Sequence, residues 1–371
     1  MSTEIINEAR RQIDICNACR YCEGYCSVFP AINRERAFAD GDITQLANLC
    51  HNCRGCYYAC QYTAPHAFDL NLPRALAEVR QASWQDFAVP AGLARMFHAS
   101  GVAMSLAVVL GFAVLIWAIK ALGGAGGDGF YAVLSHNAMV AIFAPAFIGP
   151  VILIAMGLRR YWRAVGGGPI GLAHLRWAFG SAARMRNLAG GHGEGCNFED
   201  EDRYSNLRRW FHQATMYGFL LCFAATSVAT LMHYAFALPA PYGLTSPPKI
   251  LGLTGGVLLS LGTLGLAALK VKGESHLSDA SVWGGEMAFV LLLFVVSTTG
   301  LVLYAFGGSS WLPELLALHL GAVLAFFLLT PFSKMVHGFY RLAALVKEAQ
   351  NQVGAAPDPA PAGALAKELR T

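Results

Sequence analysis

The sequence predicts an all-α protein in which an N-terminal helical module precedes a bundle of six transmembrane helices. Only 13% of the 371 residues are charged, and 55% are hydrophobic. The mean hydropathy of +0.44 is far above that of an ordinary soluble domain. The hydrophobic residues are gathered into six segments, each close to the ~20 residues that cross a bilayer as a helix. The predicted spans lie at about 99–119, 131–157, 210–236, 250–269, 287–306 and 315–336.

These spans divide the chain into three regions. Residues 1–95 are predicted to form a module outside the bilayer, residues 96–345 the six-helix transmembrane domain, and residues 346–371 a mobile Pro/Ala-rich tail. The N-terminus has no apolar stretch behind its first charges, so it is not a secretory signal. Arginine and lysine are concentrated in the loops after the second, fourth and sixth spans. The positive-inside rule therefore predicts a multi-pass protein of a bacterial-type cytoplasmic (inner) membrane, with both termini cytoplasmic.

Two cysteine-rich runs occupy the N-terminal module. CNACRYCEGYC and CHNCRGCYYAC share the spacing C-x2-C-x2-C-x3-C. Disulfides are rare in the cytoplasm, so this density of cysteine indicates metal ligation. The spacing is typical of proteins with two [4Fe–4S] clusters, in which the fourth cysteine of each run ligates the other cluster. Structural zinc sites are the alternative, but they use C-x2-C pairs and leave two thiols of each run unexplained.

The cysteines therefore fall into two predicted ligand sets. Cluster I is assigned to Cys16, Cys19, Cys22 and Cys60, and cluster II to Cys50, Cys53, Cys56 and Cys26. The bacterial motif usually has proline after its fourth cysteine, whereas Ser27 and Gln61 follow here. The segments between and after the runs have helical rather than alternating patterns. The module is therefore predicted to be an α-helical ferredoxin-like unit and not the small β-rich one.

Four histidines lie in or at the ends of two predicted spans. His212 and His233 are on the third span, and His319 and His337 are on the sixth. Imidazole is a common axial ligand of b-type haem, and polar groups inside a span are costly and usually functional. His319 and His337 differ by five whole helical turns, which predicts one stripe of one helix. Because the two spans run in opposite directions, His212 is predicted to pair with His337 near the cytoplasm, and His233 with His319 near the far side.

Each of these histidines also has a simpler interpretation, which is packing between helices or at the membrane interface. The same holds for His98 and His136, which lie near the starts of the first and second spans and are alternative haem ligands or quinone contacts. Cys222, inside the third span, is predicted to be a small apolar filler.

The segments around the histidines resemble part of a known membrane cytochrome. The last helix of the gamma subunit of respiratory nitrate reductase, a dihaem cytochrome b that exchanges electrons with quinone, is similar to HLGAVLAFFLLTPFSKMVH, residues 319–337. The other ligand-bearing helix of that family is similar to NLRRWFHQATMYGF. The resemblance implies a cytochrome-b-like bundle with two b-type haems. The family's second ligand on that helix lies ten residues after the first, where this sequence has Cys222, so His233 is the substitute.

A second resemblance covers nearly the whole chain. Three segments carry it: CHNCRGCYYACQYTAPHAFDLNLPRALAEVR, GCNFEDEDRYSNLRRWFHQATMYGFLLCFAATSVATLMHY and HGFYRLAAL. They resemble the tricarballylate/citrate utilization protein B family. Members of that family are taken to oxidise the reduced flavin of a soluble dehydrogenase and to pass the electrons to the membrane. The resemblance therefore implies a soluble FAD-dependent tricarballylate dehydrogenase as partner and membrane quinone as exchangeable acceptor.

Together these interpretations predict an electron-transfer component rather than a substrate-converting enzyme. Electrons are expected to run from the partner flavin through clusters I and II to haem and then to quinone. In one alternative the same parts work in reverse, with quinol feeding a cytoplasmic reductase. In another the chain is a transport or sensor component for tricarboxylates, although the apolar windows that define the spans contain no Asp, Glu, Lys or Arg. The sequence has no nucleic-acid-binding motif.

Overall fold

A computed structural model of the chain describes residues 2–26, 28–122, 129–191, 193–199, 202–238 and 240–354. These residues form thirteen α-helices joined by turns and short 3₁₀ helices, and no β-strand occurs among them. Cys196 and Ser205 form an isolated antiparallel bridge. The prediction of an all-α fold is confirmed.

Five helices build the N-terminal module. They are α1 Thr3–Cys19, α2 Val28–Arg34, α3 Asp40–Leu49, α4 Gly55–Tyr58 and α5 Leu72–Phe87. Apolar residues at helical spacing, such as Ile6, Ala9 and Ile13 of α1, are buried between the helices. Asn71 caps α5 through its side chain, and Pro73 lies in the first turn of that helix, where its missing N–H costs nothing. The two cysteine runs lie at the helix ends and in the turns that join these helices.

Six helical segments are long and apolar enough to cross a membrane, in agreement with the six predicted spans. The remaining helices of the chain are α6 Ala91–Ala121, α7 His136–Ala164, α8 Leu172–Ala183, α9 Leu207–Phe236, α10 Pro247–Lys272, α11 Trp283–Phe306, α12 Leu312–Leu329 and α13 Val336–Gly354. Of these, α6, α7 and α9 to α12 provide the six spans, and α8 and α13 lie outside them. The chain is therefore a multi-pass membrane protein.

The sixth predicted span is not one continuous helix. A 3₁₀ turn around Pro331 separates α12 from α13. Proline has no N–H to continue the helical ladder, and the backbone at Ser333 is extended, with φ −96° and ψ 177°. The prediction that His319 and His337 share one stripe of one helix is therefore wrong, because they belong to α12 and α13 respectively.

The last described helix, α13, packs against the N-terminal module. Leu345 and Val346 of α13 join the hydrophobic core of the module. Glu348, which is 1% exposed, forms an ion pair with Arg34 of α2 at 2.6 Å. The prediction of a mobile tail from residue 346 is therefore wrong for residues 346–354, because their apolar stripe has a surface to pack on. The rest of the predicted tail, residues 355–371, lies outside the described residues.

Helices α9 and α10 approach each other closely at glycines. A Cβ on Gly218 of α9 would lie 2.5 Å from Leu259 N, and one on Gly255 of α10 would lie 2.9 Å from Cys222 Sγ. Small residues allow membrane helices to pack at this short range. The thiol of Cys222 therefore lies in the seam between α9 and α10.

Candidate functional site

The first cysteine set, Cys16, Cys19, Cys22 and Cys60, is brought together around a cavity and is called site I. The cavity has a volume of about 330 Å³ including its opening to solvent, and Tyr21 is also part of its wall. Cys16 and Cys19 are at the end of α1, Cys22 lies in the turn after it, and Cys60 follows α4. The four cysteines predicted as ligands of cluster I are thus neighbours in space.

Two thiols of site I, those of Cys16 and Cys22, are protonated at neutral pH when no metal is bound. Burial raises the pKa of Cys16 to about 12 and that of Cys22 to about 11. In both cases the neighbouring thiol of Cys60 is the next cause, followed by other members of the set. Metals bind the thiolate, so a metal in this site would have to displace protons.

The second cysteine set, Cys26, Cys50, Cys53 and Cys56, is called site II. Cys50 ends α3, and Cys56 lies within α4, which begins after a left-handed backbone conformation at Arg54. The thiol of Cys26 donates a hydrogen bond to Cys53, which raises the pKa of Cys26 and lowers that of Cys53. Cys50 and Cys56 are close enough to act on the ionisation of Cys26 as well. Site II therefore contains the fourth cysteine of the first run together with three cysteines of the second.

The two sets suit a distributed metal cluster better than a single ion. In the part of the chain that the structure describes, no three His, Cys, Asp or Glu side chains converge closely enough to hold one metal ion. A [4Fe–4S] cluster takes one thiolate at each of four irons, so its ligands surround a volume instead of meeting at a point. Two groups of four cysteines, one of them around a cavity, fit that requirement.

Three arginines from three helices converge on the backbone of site II. Arg341 Nη2 of α13 and Arg80 Nη1 of α5 both donate to Cys50 O, at 2.6 and 2.9 Å. Arg208 Nη1 of α9 donates to Asn52 O at 2.7 Å. None of these arginines takes part in an ion pair with a described carboxylate. Arg80, Arg208 and Arg341 are called the arginine group below.

The segment between α8 and α9 covers site II from another side. Asn197 N donates to Cys53 O at 2.8 Å. Arg54 and Arg208 both lie over the ring of Phe198, with guanidinium carbons 4.5 and 4.1 Å from its centroid. Site II, whose Cys53 also lines a cavity of about 270 Å³, is thus packed against membrane-domain segments, whereas Cys19 of site I is exposed.

Two of the predicted haem ligands lie beside each other. The ring centroids of His212 of α9 and His337 of α13 are 5.8 Å apart, with the ring planes at 80°. His337 Nδ1 donates to Lys334 O, which leaves Nε2 with the lone pair that a metal needs. Burial, and then the neighbouring His212, hold the pKa of His337 well below its usual range, so the imidazole is neutral. The structure brings this predicted pair together.

The second predicted pair is not in contact. His319 Nδ1 lies 3.0 Å from Thr299 Oγ1 of α11, and the missing side chain of Gly300 makes room for its ring. His233 stacks instead on His136 of α7, with ring centroids 4.4 Å apart. Within the described residues, no ring contact or hydrogen bond joins His233 to His319. Cys222 is directed towards α10, so it does not supply a ligand opposite His319 either.

The surroundings of α9 leave room for a large apolar group. None of the residues in the apolar window of α9, all of which the structure describes, is buried. Between the levels of the two histidine pairs, Phe219 contacts Phe326 of α12 at a centroid distance of 5.7 Å. Phe147 of α7 contacts Phe223 at 6.0 Å. The exposed apolar surface of α9 is therefore available to lipid or to another apolar group.

Sequence reasoning missed a cluster of charged residues at the end of the helix bundle that faces the N-terminal module. Glu286 of α11 accepts from Lys270 Nζ at 2.5 Å and from Lys334 Nζ at 2.7 Å. His98 is close to this cluster, packed against Gly285 and 4% exposed. The six apolar windows contain no charged residue, but α11 begins before its window and carries Glu286 in its first turn. Two lysines compensate the carboxylate, so the helix can carry it into the bundle.

The arginine group was also missed as part of a site. Sequence reasoning counted Arg208 and Arg341 only as cytoplasmic positive charges. A signal was present, because Arg208 precedes His212 by four positions and Arg341 follows His337 by four. Residues four apart lie on the same helix face, one turn from each other. Arg80 had no such signal, because its contact with site II depends on tertiary packing.

The fold and these sites define a multi-pass membrane protein with an N-terminal cysteine module of the ferredoxin type. Residues 9–86 match the citrate utilization protein B Fer4-like domain, and residues 88–358 match citrate utilization protein B. Citrate utilization protein B of Escherichia coli is 43% identical over 355 residues, which cover 93% of this chain and 92% of that protein. The chain belongs to the citrate utilization protein B family, as the resemblance of its sequence predicts. No solved structure gives a significant match.

Proposed function

We propose that the protein reoxidises the reduced flavin of a soluble tricarballylate/citrate-type dehydrogenase and passes the electrons to membrane quinone. The family and its Fer4-like domain are consistent with an iron–sulfur electron-transfer role. When bound, [4Fe–4S] clusters and b-type haem supply one-electron redox chemistry. The four cysteines of site I and the four of site II would each hold one cluster. His212 and His337 would hold one haem, and His319 a second haem with His233 as the proposed partner.

One observation carries this proposal: two hydrogen bonds join the site II backbone to the two helices that bear His212 and His337. Arg341 joins Cys50 O to α13, one turn from His337, and Arg208 joins Asn52 O to α9, one turn from His212. A cysteine module with a purely structural role has no need to be fixed at this position. Electron transfer requires such proximity between the soluble module and the haem ligands.

The chain's own residues have three tasks in this proposal. Site I, with its exposed Cys19 and its opening to solvent, is accessible to a soluble flavoprotein. The segments around site II hold it against the membrane helices. The hydrogen bond from His337 Nδ1 to Lys334 O orients the imidazole so that Nε2 faces a ligand.

Orientation in the membrane is part of the same proposal. Arginine and lysine in the loops on the module side favour the cytoplasm for that side. Both described ends of the chain belong to the module side, because α13 packs on the module. This orientation places site I in the compartment where a soluble dehydrogenase occurs.

Anaerobic purification of the full chain in detergent tests the proposal. We expect about eight non-haem irons per chain, from two [4Fe–4S] clusters, and the optical spectrum of b-type haem. After reduction with a stoichiometric amount of dithionite, decylubiquinone should reoxidise the haem. Zinc in place of iron would contradict the proposal. Haem that is reduced rapidly by decylubiquinol, but is not reoxidised by the quinone, would instead favour the reverse direction of electron flow.

A further inference from the structure

We infer that the arginine group raises the reduction potential of the cluster in site II above that of the cluster in site I. An electron that arrives at site I would then be retained at site II, beside the histidine helices. This inference rests on the proposed function, because it requires both clusters. It assigns to Arg80, Arg208 and Arg341 a role that goes beyond holding the fold together.

The geometry of the group is specific to site II. The carbonyl of Cys50 accepts from two guanidinium groups, those of Arg341 and Arg80, so both of its lone pairs are used. Arg208 donates to Asn52 O, two residues further along the chain. Three positive charges from α5, α9 and α13 thus surround residues 50–53, which contain two of the proposed ligands of cluster II.

These charges lack a compensating anion among the described residues. The arginines donate to carbonyl oxygens and lie near one another, and no described carboxylate pairs with them. Arg341 Nε is also buried without a hydrogen-bond partner in the described structure. All three arginines are only partly exposed. Charge that is partly removed from water without an anionic partner is unfavourable, and a [4Fe–4S] centre with four thiolates is an anion that would relieve it. Site II is therefore suited to a cluster that gains further negative charge on reduction.

Site I has the opposite surroundings. In the described part of the chain, no guanidinium group donates to the cysteine backbone of site I: the carbonyls of Cys16 and Cys22 accept from backbone N–H groups, and that of Cys60 accepts from the Thr63 hydroxyl. Arg20, next to Cys19 in the chain, is exposed and donates to Asn17 O. Water near Cys19 also stabilises a reduced cluster, but one unit charge acting over roughly 8 Å at an effective dielectric constant of about 20 shifts an equilibrium by more than about tenfold. Site II has three such charges bonded to its backbone.

Transfer between the sites moves one electron, so the cluster in site I is oxidised by one electron as the cluster in site II is reduced by one. The two electrons of a reduced flavin would pass in two such steps. Arg208 and Arg341 act in addition as positioning residues, because each lies one turn from a proposed haem ligand on the same helix. The same side chains would thus set both the potential and the placement of site II.

A redox titration of the full chain, followed by electron paramagnetic resonance, tests the inference with the variant Arg341→Gln. Glutamine retains a donor for Cys50 O but removes the charge. At the midpoint potential of the unaltered site II, we expect the ratio of reduced to oxidised cluster to fall about tenfold in the variant. The site I midpoint should stay unchanged. Cys53→Ser, which removes a site II ligand, identifies the signal that belongs to site II.

Matched variants separate charge from packing. Arg341→Lys keeps the charge and should keep the midpoint of site II. Arg74→Gln changes an exposed arginine of α5 that is paired with Glu78, and it should alter neither midpoint. Arg80→Gln carries the same expectation as Arg341→Gln, so the test remains available if Arg341→Gln fails to accumulate.

The outcomes distinguish this inference from the proposed function. An unaltered protein without iron–sulfur signals would contradict the proposed function, and with it the inference. Two clusters at full occupancy with site II midpoints unchanged in both Arg341→Gln and Arg80→Gln would overturn the inference alone. An equal shift of both midpoints would overturn it too, because the effect would then not be specific to site II.

Discussion

Sites I and II have the same cysteine spacing but opposite surroundings. Site I opens to solvent through a cavity beside Tyr21, a residue that is 66% exposed. Site II is covered by the segment before α9 and is bonded to helices of the membrane domain. Identical ligand motifs therefore receive different neighbours from the rest of the chain. The cysteine motif therefore specifies which group is bound. The surrounding helices specify the redox partners with which that group can exchange electrons.

The largest effect is expected from removing one ligand of each site. Cys53→Ser and Cys19→Ser should each reduce the non-haem iron from about eight to about four per chain, because a hydroxyl is a poor ligand for iron–sulfur centres. Haem reduction by a reduced flavoprotein should stop in both variants if the two sites act in series. Metal analysis and stopped-flow absorbance measure the two effects.

The matched control is Cys222→Ser, which alters a thiol in the seam between α9 and α10 and should leave the iron content unchanged. If the Cys19→Ser protein lacked cluster I but still passed electrons from flavin to haem at the full rate, site I would not be the input. The proposed difference between the sites would then be lost.

The next largest effect is expected from the two histidines near site II, His212 and His337. His212→Ala and His337→Ala should remove the same haem component, since loss of either axial imidazole leaves an easily lost five-coordinate haem. The double variant should lose no more than either single variant. Optical difference spectra at low temperature measure this. Loss of two distinct components by the two single variants would contradict the pairing of the histidines whose rings are 5.8 Å apart.

The same experiment can be applied to the second proposed haem. His319→Ala should remove the other component and leave that of His212 in place. Spectra of His233→Ala and His136→Ala then identify the partner of His319, because only the true ligand gives the same loss. Retention of the second component in the His233→Ala protein would contradict the proposed pairing of His233 with His319.

A smaller effect is expected from the ion pair that fixes α13 to the module. Glu348→Ala leaves Arg34 partly buried without its partner, which should lower the free energy of unfolding by about 3 kcal/mol. Since α13 supplies Arg341, site II should lose iron before site I as the temperature rises. Thermal unfolding followed by circular dichroism and iron release measures both. Glu78→Ala breaks a more exposed pair with Arg74 and should cost less than about 1 kcal/mol.

The smallest expected effect is a difference in sensitivity to oxygen. Cys19 is exposed, whereas the other cysteines of both sites are at least half-buried. Reactive oxygen reaches exposed thiolate ligands first, so brief exposure to air should destroy cluster I several-fold faster than cluster II. Loss of the two paramagnetic signals with time provides the measurement. Faster loss of the site II signal would show that its covering segment does not exclude oxygen.

The sequence was sufficient for the parts of this molecule that depend on local pattern. Charge-free windows predicted six spans, and the spacing of cysteines predicted two sets of four that the structure brings together. Local chain geometry determines the spans and brings together three cysteines of each set, and the exchange of the fourth cysteine between the runs follows from the two-cluster motif. The neighbourhood of His212 and His337 was also predictable, because opposed helices place their matching ends at the same level.

What the sequence did not reveal depends on tertiary packing or on a local break. Pro331 interrupts the sixth span, although proline within the apolar helix α7 causes no such interruption. The burial of Glu286 depends on Lys270 and Lys334, which are distant from one another in the chain. The place of Arg80 beside Cys50 likewise follows from the docking of α5 and not from any motif.

The docking of α13 on the module sets an order of assembly. Leu345 and Val346 belong to the core of the N-terminal module, yet they follow all six membrane spans in the chain. The ribosome therefore synthesises every span before the module can complete its own core. Arg341 reaches Cys50 only at the same late stage. The module is thus completed only after the last span has been synthesised, and a chain that stops before α13 leaves both the module and the backbone of site II incomplete.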